Sequence, residues 1–415
     1  MSTVEIMAPA GSFESLTAAI KAGADSVYFG VQQLNMRARS SVNFTLEDLS
    51  SIVSVCKRHG VKSYLALNTL LYDHDLQLMR SLCDHAKKEG VTAVIVADIA
   101  AMKYAHSIGL EVHSSTQLNI SNIEEVEFFS QFCDVIVLAR ELTLQQIKYI
   151  VDEIERRDIR GPSTRRVGIE VFCHGALCVA ISGKCSMSLA TDNASANRGA
   201  CIQNCRKKYR VTDDETGQEF VLDNEYIMSP KDLCTIGFLD KILDAGVSVL
   251  KIEGRGRSPE YVQKVVSVYT QAIKSINEGT YAKENIDKWI AELKTVYNRG
   301  FWHGGYYLGK KLGEWSGQYG SQATEKKTFV GLITNYYSHK KLARVIIQSG
   351  GLSLGDTILI TGPTTGVCYQ KIESLHDDTG PITKAEKGSD ITFPASEKAR
   401  RGDKLFLISG RNSRG

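Results

Sequence analysis

The sequence predicts an α/β protein: a (β/α)8 TIM-like barrel with a cysteine-rich insertion after strand 7, followed by a small C-terminal antiparallel β-barrel. Three observations predict it. Helix-like stretches end in glycine and lead straight into short apolar runs, at Gly23, Gly60, Gly90, Gly109 and Gly246. Glycine just past a helix adopts the left-handed cap at low steric cost, and the chain then enters a strand. Eight such apolar runs alternate with amphipathic stretches, as expected of a parallel sheet covered by helices. From Thr328 onward the pattern changes to short strands separated by turns. A doubly wound open sheet is the alternative for the first part.

In order, the expected barrel strands lie near Glu5–Ala8, Ser26–Phe29, Lys62–Leu67, Ala93–Val96, Glu111–Ser114, Val135–Leu138, Ile169–Phe172 and Val249–Ile252. Helical periodicity covers Phe13–Ala22, Thr45–Arg58, Asp75–Lys88, Ile99–Ser107, Ile123–Phe132 and Leu144–Glu155. Between strands seven and eight come the cysteine stretch (173–206), a hairpin over 208–222, and Ser229-Pro230-Lys231-Asp232, which reads as the start of a helix running to about Ala245. Two more helices are expected near Pro259–Glu278 and Asn285–Asn298, closing a domain over 1–300. Residues 301–327 are rich in glycine and aromatics and read as a connector. Residues 328–415 form the small β domain, with strands near Phe329–Thr334, Leu342–Ile347, Thr357–Ile360, Cys368–Ile372, Asp390–Phe393 and Lys404–Leu407.

Composition narrows the class. Charged residues are 23% and hydrophobic ones 43%, as in ordinary soluble proteins. No apolar run approaches the ~18 residues of a membrane helix, and Met1 leads within a few residues into a strand rather than a leader. A cytoplasmic protein with no membrane partner is expected. The net charge of +3 decides little. Its distribution says more: Asn193–Thr212 has no acidic residue but holds Arg198, Arg206, Lys207, Lys208 and Arg210. Such a run suits a polyanion such as RNA, or compensates a cluster of thiolates.

Five of the ten cysteines fall within 33 residues, at 173, 178, 185, 201 and 205. A long chain in a reducing compartment has no need of disulfide staples, so metal is the leading explanation. Cys178, Cys185, Cys201 and Cys205 form C-x6-C-x15-C-x3-C. Zinc sites favour two tight knuckles, and only the last pair could make one. An iron–sulfur cluster tolerates the wider spacing. Zinc and a metal-free role stay open. Cys173 reads as facing a packed layer.

Barrel chemistry sits at the C-terminal strand ends. There the sequence places Arg37, Arg39, Asn68, Thr69, Asp98, Ser115, Thr116, Gln117, Arg140, Glu141, His174, Glu253, Arg255 and Arg257, with Lys251 inside the eighth strand. This cationic rim would suit a small dicarboxylate, a phosphate or RNA, or it is a ring of structural ion pairs. Walker A, HExxH and GxSxG motifs are absent. A Cys173–His174 hydrolase is disfavoured, because strand neighbours point to opposite faces.

The run Glu170-Val171-Phe172-Cys173-His174-Gly175-Ala176-Leu177-Cys178, with Ser182-Gly183-x-Cys185 and Asn197-Arg198-Gly199-x-Cys201-x-Gln203-x-Cys205-Arg206, closely resembles the signature of the collagenase-like U-thirty-two peptidase family. Ala8-Pro9-Ala10-Gly11, Ala22-Gly23-Ala24-Asp25-x-Val27-Tyr28-x-Gly30, Ser229-Pro230-Lys231-Asp232-Leu233 and Lys251-Ile252-Glu253-Gly254-Arg255 match too, so the resemblance covers essentially the whole chain. It is strongest to the TrhP type, which takes part in prephenate-dependent, oxygen-independent formation of 5-hydroxyuridine at the tRNA wobble position. Relatives act on a ribosomal RNA cytidine or a ubiquinone precursor. The resemblance implies a 4Fe-4S cluster on Cys178, Cys185, Cys201 and Cys205, prephenate as co-substrate and tRNA as partner. Arg140, Lys251, Glu253, Arg255, Gln117 and Arg39 are then the candidate substrate-binding residues, His174 and Glu170 the candidates for proton transfer, and Arg198, Arg206, Lys207 and Lys208 the candidates for RNA contact. The competing expectations are a peptidase, a zinc-stabilised RNA-binding module, and a hydroxylase for another RNA base.

Overall fold

The structure, a computed structural model, describes residues 4–39, 43–220, 228–310 and 314–411. Eight strands pair side by side in chain order: β1 (Glu5–Pro9), β2 (Ser26–Phe29), β3 (Lys62–Leu67), β4 (Ala93–Val96), β5 (Glu111–Ser114), β6 (Val135–Val137), β7 (Gly168–Gly175) and β8 (Val249–Ile252). β8 pairs in parallel with both β7 and β1, so the sheet closes into a barrel and the open-sheet alternative is removed. The helices between them are α1 (Phe13–Lys21), α2 (Asp48–Arg58), α3 (Leu76–Glu89), α4 (Ile99–Ser107), α5 (Ile123–Ser130) and α6 (Leu144–Arg157). After the insertion come α7 (Leu239–Asp244), α8 (Pro259–Asn277) and α9 (Lys283–Thr295). The glycines that mark helix ends in the sequence do take positive φ, from +68° at Gly60 to +93° at Gly23.

Strand alternation divides the apolar residues into two layers. Met7, Tyr28, Tyr64, Ala93, Ile95 and Val249 pack against each other inside the barrel. Their neighbours, such as Ile6, Val27, Phe29, Leu65, Val94 and Leu250, join the helices in a much larger outer core. The inner layer fills the barrel below its C-terminal end, so that end is left as a bowl on a solid floor.

One expected element differs. Asp232–Cys234, read as a helix start, is a strand antiparallel to the end of β7 and parallel to Phe301–Trp302. The helix proper is the short α7. Asp232 does not cap a helix; its carboxylate accepts from Arg299 Nη1 at 3.1 Å. Pairing with the exposed end of β7 outweighs a local capping signal. The hairpin forms between Val211–Thr212 and Glu219–Phe220, and Val221 and Leu222 lie outside the described residues.

The C-terminal part is a separate antiparallel domain: an eight-stranded sheet plus a two-stranded ribbon of Gly351–Ser353 and Lys384–Glu386. It has its own core, including Val330, Ile333, Val345, Ile358, Phe393 and Leu405. It docks on α1, where Thr17 Oγ1 donates to the Pro363 carbonyl at 2.6 Å and Lys21 Nζ to that of Thr365 at 3.0 Å. Among the described residues no helix is long and apolar enough to cross a membrane.

Candidate functional site

The bowl at the strand ends opens into a cavity of about 210 Å³, roofed by the cysteine insertion. Tyr28, Asn68, Ser115, Gln117, Arg140, Phe172, Lys251, Glu253 and Arg255 line the barrel side. Cys178, Cys185, Cys201 and Cys205 line the roof. Cys178 is exposed and the other three are half-buried. The remaining six cysteines are all buried, and burial pushes the Cys56, Cys83 and Cys234 thiols up to about 12. Those are inert packing residues. Burial also raises the Cys205 thiol; Arg206 opposes this, while the nearby charges of Cys178, Cys201 and Cys185 add to it.

The roof is pinned to barrel loops by backbone as well as side chains. Gly199, at φ +85°, sits where a Cβ would lie 2.4 Å from the Asn35 carbonyl, and its own carbonyl accepts from Arg39 N at 3.0 Å. Gly183 packs on Gln117, and Asn119 Nδ2 donates to the Ser182 carbonyl at 2.9 Å. Arg198 pairs with Asp75, donates to the Leu70 carbonyl at 2.9 Å and stacks on Tyr72 at 4.2 Å. Arg206 donates to the carbonyls of Leu177 at 2.5 Å and Pro230 at 2.7 Å and to Ser229 Oγ at 3.0 Å. Two candidates for RNA contact are thus committed to holding the cysteine segment. Lys207 and Lys208 are exposed beside it.

On the barrel side the charges are coupled. Glu253 accepts from Arg37 Nη2 at 2.7 Å and from Tyr28 Oη at 3.1 Å. Burial alone would raise its carboxyl, but Arg37, Arg140 and Arg255 outweigh it and hold it at about 2. It is therefore a fixed anion in a cationic bowl. Arg255 donates from Nη2 to Asn35 Oδ1 at 2.9 Å, and burial lowers it to about 10. It fits only because position 30 is glycine: a Cβ there would lie 2.2 Å from Nη1. Arg140 stacks on the Phe172 ring at 4.0 Å and donates to the Ala176 carbonyl at 3.2 Å. Arg140 Nε and Arg255 Nη1 are buried donors without an acceptor among the described residues. Lys251 Nζ donates to Glu170 Oε1 at 2.7 Å below the floor, and Glu170 itself does not reach the cavity.

His174 is elsewhere. The β7–β8 register shifts so that Lys251 faces Phe172 and Ile252 faces His174, which leaves Cys173 as an extra residue. This bulge turns His174 outward, among Tyr261, Tyr269 and Phe301. Burial, with help from His303, drives its pKa down to about 3. Its Nδ1 lies 3.4 Å from Tyr269 Oη, and Cys173 Sγ donates to the Lys251 carbonyl at 3.4 Å. Neither residue lines the cavity. Arg39 lies outside it as well, on a second groove behind the roof. Asp98 caps α4 through Ala100 N. Sequence reasoning did not single out Tyr28, Phe172 or Arg299 as cavity residues. Inward parity on β2 and β7 would have found the first two; Arg299 arrives from beyond α9 and carries no local signal.

Comparison with known proteins places this architecture. The model of Peptidase family U32 matches residues 11–317. The chain belongs to the peptidase U32 family. Family relatives include a protein named collagenase from Porphyromonas gingivalis, 55% identical over 407 residues and 98% of both chains. The tRNA hydroxylation protein P1 of Bacillus subtilis is 31% identical over 390 residues, 91% of this chain and 87% of that one. The 23S rRNA 5-hydroxycytidine C2501 synthase of Escherichia coli is 36% identical over 276 residues, 66% of this chain and 40% of that one. The family thus holds RNA hydroxylation proteins beside proteins named as proteases.

Proposed function

We propose that this protein is an iron–sulfur enzyme of RNA hydroxylation, prephenate-dependent and oxygen-independent, forming 5-hydroxyuridine at the tRNA wobble position. The observation that carries the reading is the facing of two halves of one cavity: four accessible thiols above, and a cationic bowl with buried unsatisfied donors below. All four thiols line this one cavity, and their wide C-x6-C-x15-C-x3-C spacing favours a 4Fe-4S cluster over zinc. The thiols of Cys178, Cys185, Cys201 and Cys205 would hold it, and bound there it would supply electron transfer.

The chain's own residues bind and orient. Arg140 Nε and Arg255 Nη1 supply the donors that a dicarboxylate such as prephenate needs. Glu253 balances Arg37, Arg140 and Arg255, and Lys251 presents its ammonium from the floor. The cavity is the size of a small acid, so the RNA base approaches from the roof. The peptidase reading draws on the 55% relative's name, but His174 and Cys173 make separate hydrogen bonds and neither faces the cavity. A general base must reach its nucleophile.

The test is the visible absorption, iron and sulfide of protein purified without oxygen, wild type beside Cys201→Ala, then prephenate-dependent hydroxylation of tRNA by wild type, Arg140→Ala and Arg255→Ala. Brown protein with about four irons per chain, lost in the cysteine variant, and product lost in both arginine variants are expected. Colourless protein after reconstitution, or undiminished product in the arginine variants, would overturn the reading.

A further inference from the structure

The main cavity is too small for a polynucleotide, and the roof has a second side. There a groove of about 560 Å³ shares Cys201, Gln203 and Arg206 with the cavity, so the two are separated by the cysteine segment alone. Arg39, Lys207, Ile202 and Tyr319 help form its walls, and among the described residues that line it none is acidic. Tyr319 is 77% exposed and Ile202 45%, a large aromatic face and an apolar patch turned to solvent between cations. Gln203, at the partition, is held in the left-handed region at φ +59°, a conformation that side chains other than glycine, Asn and Asp seldom take. Strain of this kind persists where the surroundings fix it, and it clusters at binding sites.

We propose that this groove binds single-stranded RNA flanking the reacting base, with a neighbouring base stacked on Tyr319 and the backbone phosphates against Lys207 and Arg39. The proposal rests on the RNA-hydroxylation reading and assigns it a binding surface. Flat aromatic faces beside cations are how single strands are held without sequence readout. The shared wall gives the bound strand a short path: a base displaced from it meets the roof where Cys201 and Gln203 face both compartments. Arg39, placed by sequence on the rim, then acts on RNA and not on the small acid.

The probe is a fluorescein-labelled anticodon stem–loop RNA with uridine at the wobble position, titrated anaerobically by anisotropy at several salt concentrations. Tyr319→Ala is expected to weaken binding about tenfold, and Tyr319→Trp to retain it. Lys207→Glu with Arg39→Glu is expected to weaken binding further and to flatten the dependence of log affinity on log salt by about one to two. Iron, sulfide and prephenate affinity should stay at wild-type levels in the Tyr319 variants, because Tyr319 does not line the cavity that holds the arginines and the four thiols. Wild-type RNA affinity in both Tyr319→Ala and the double charge variant would overturn the groove assignment. Wild-type protein without iron or hydroxylated product, yet with groove-dependent RNA binding, would overturn the redox reading and support the groove.

Discussion

Replacing Lys251 by methionine tests the floor of the site. Glu170 is fully buried and Lys251 is 5% exposed. Among the described residues their 2.7 Å contact is the one hydrogen bond to the Glu170 carboxylate, whose Oε2 has no partner. Methionine roughly preserves the lysine stem against Tyr28 and Phe172 but leaves the carboxylate uncompensated in the barrel. Breaking a buried pair by removing one partner costs about 3–5 kcal/mol, a large share of the 5–15 kcal/mol typical of a folded domain. The corresponding fall in melting temperature is about 5–10 °C for a domain of this size. Far-UV circular dichroism in the helical band reports the barrel specifically, because the C-terminal domain is all β. The double variant Glu170→Gln, Lys251→Met removes both charges and should recover most of the loss. The same pair separates stability from function: if Lys251 Nζ meets the bound acid, the double variant melts near wild type yet still lacks prephenate-dependent product. A Lys251→Met protein melting within about 1 °C of wild type would refute the assignment of a buried, mutually dependent pair.

Three other outcomes follow from the geometry. Gly30→Ala should displace the Arg255 guanidinium and lower product formation at least tenfold while circular dichroism stays native; full activity would show that Arg255 is not needed where it lies. His174 has a folded pKa near 3 against an ordinary value near 6.5. Above pH 6.5 neither state binds the proton. As pH falls from 6.5 toward 3 only the unfolded chain takes it up, so stability declines by up to about 4 kcal/mol; urea midpoints against pH should fall less steeply for His174→Phe. Arg206→Leu removes three contacts that clamp the cysteine segment and should reduce retained iron more than it lowers the barrel's melting temperature, both measured on one preparation.

The barrel was readable because its signals are local. Each Gly cap and the apolar run behind it fall within a few residues, and the left-handed conformation that glycine permits is the one observed at Gly23, Gly60, Gly90, Gly109 and Gly246. The four thiols were readable for the same reason: their clustering is a property of 28 consecutive residues. What failed to show depends on pairing at a distance. A single extra residue in β7 reverses where His174 points, and no composition or period marks a bulge. The Asp232–Cys234 strand exists only because the β7 end and Phe301–Trp302 are there to receive it. The charges of Arg198 and Arg206 are visible in a sequence, but the partners that tie them to Asp75 and to the Leu177 and Pro230 carbonyls are not.

The pinning of the roof also fixes an order of events. The Arg198 guanidinium meets Asp75 and the Leu70 carbonyl across 123 and 128 residues of chain, and Gly199 meets Asn35 across a longer span. These contacts cannot form before β2 and β3 are in place, so the roof takes its final position only once that part of the barrel is there to receive it. A zinc finger waits for its metal to fold; the cluster proposed for these thiols would instead be the last component to arrive. Cys178, the exposed thiol of the four, is the natural first point of contact for whatever delivers it. Chelation or oxidation would then empty the roof and leave the barrel standing, so loss of colour and loss of fold should be separable in time.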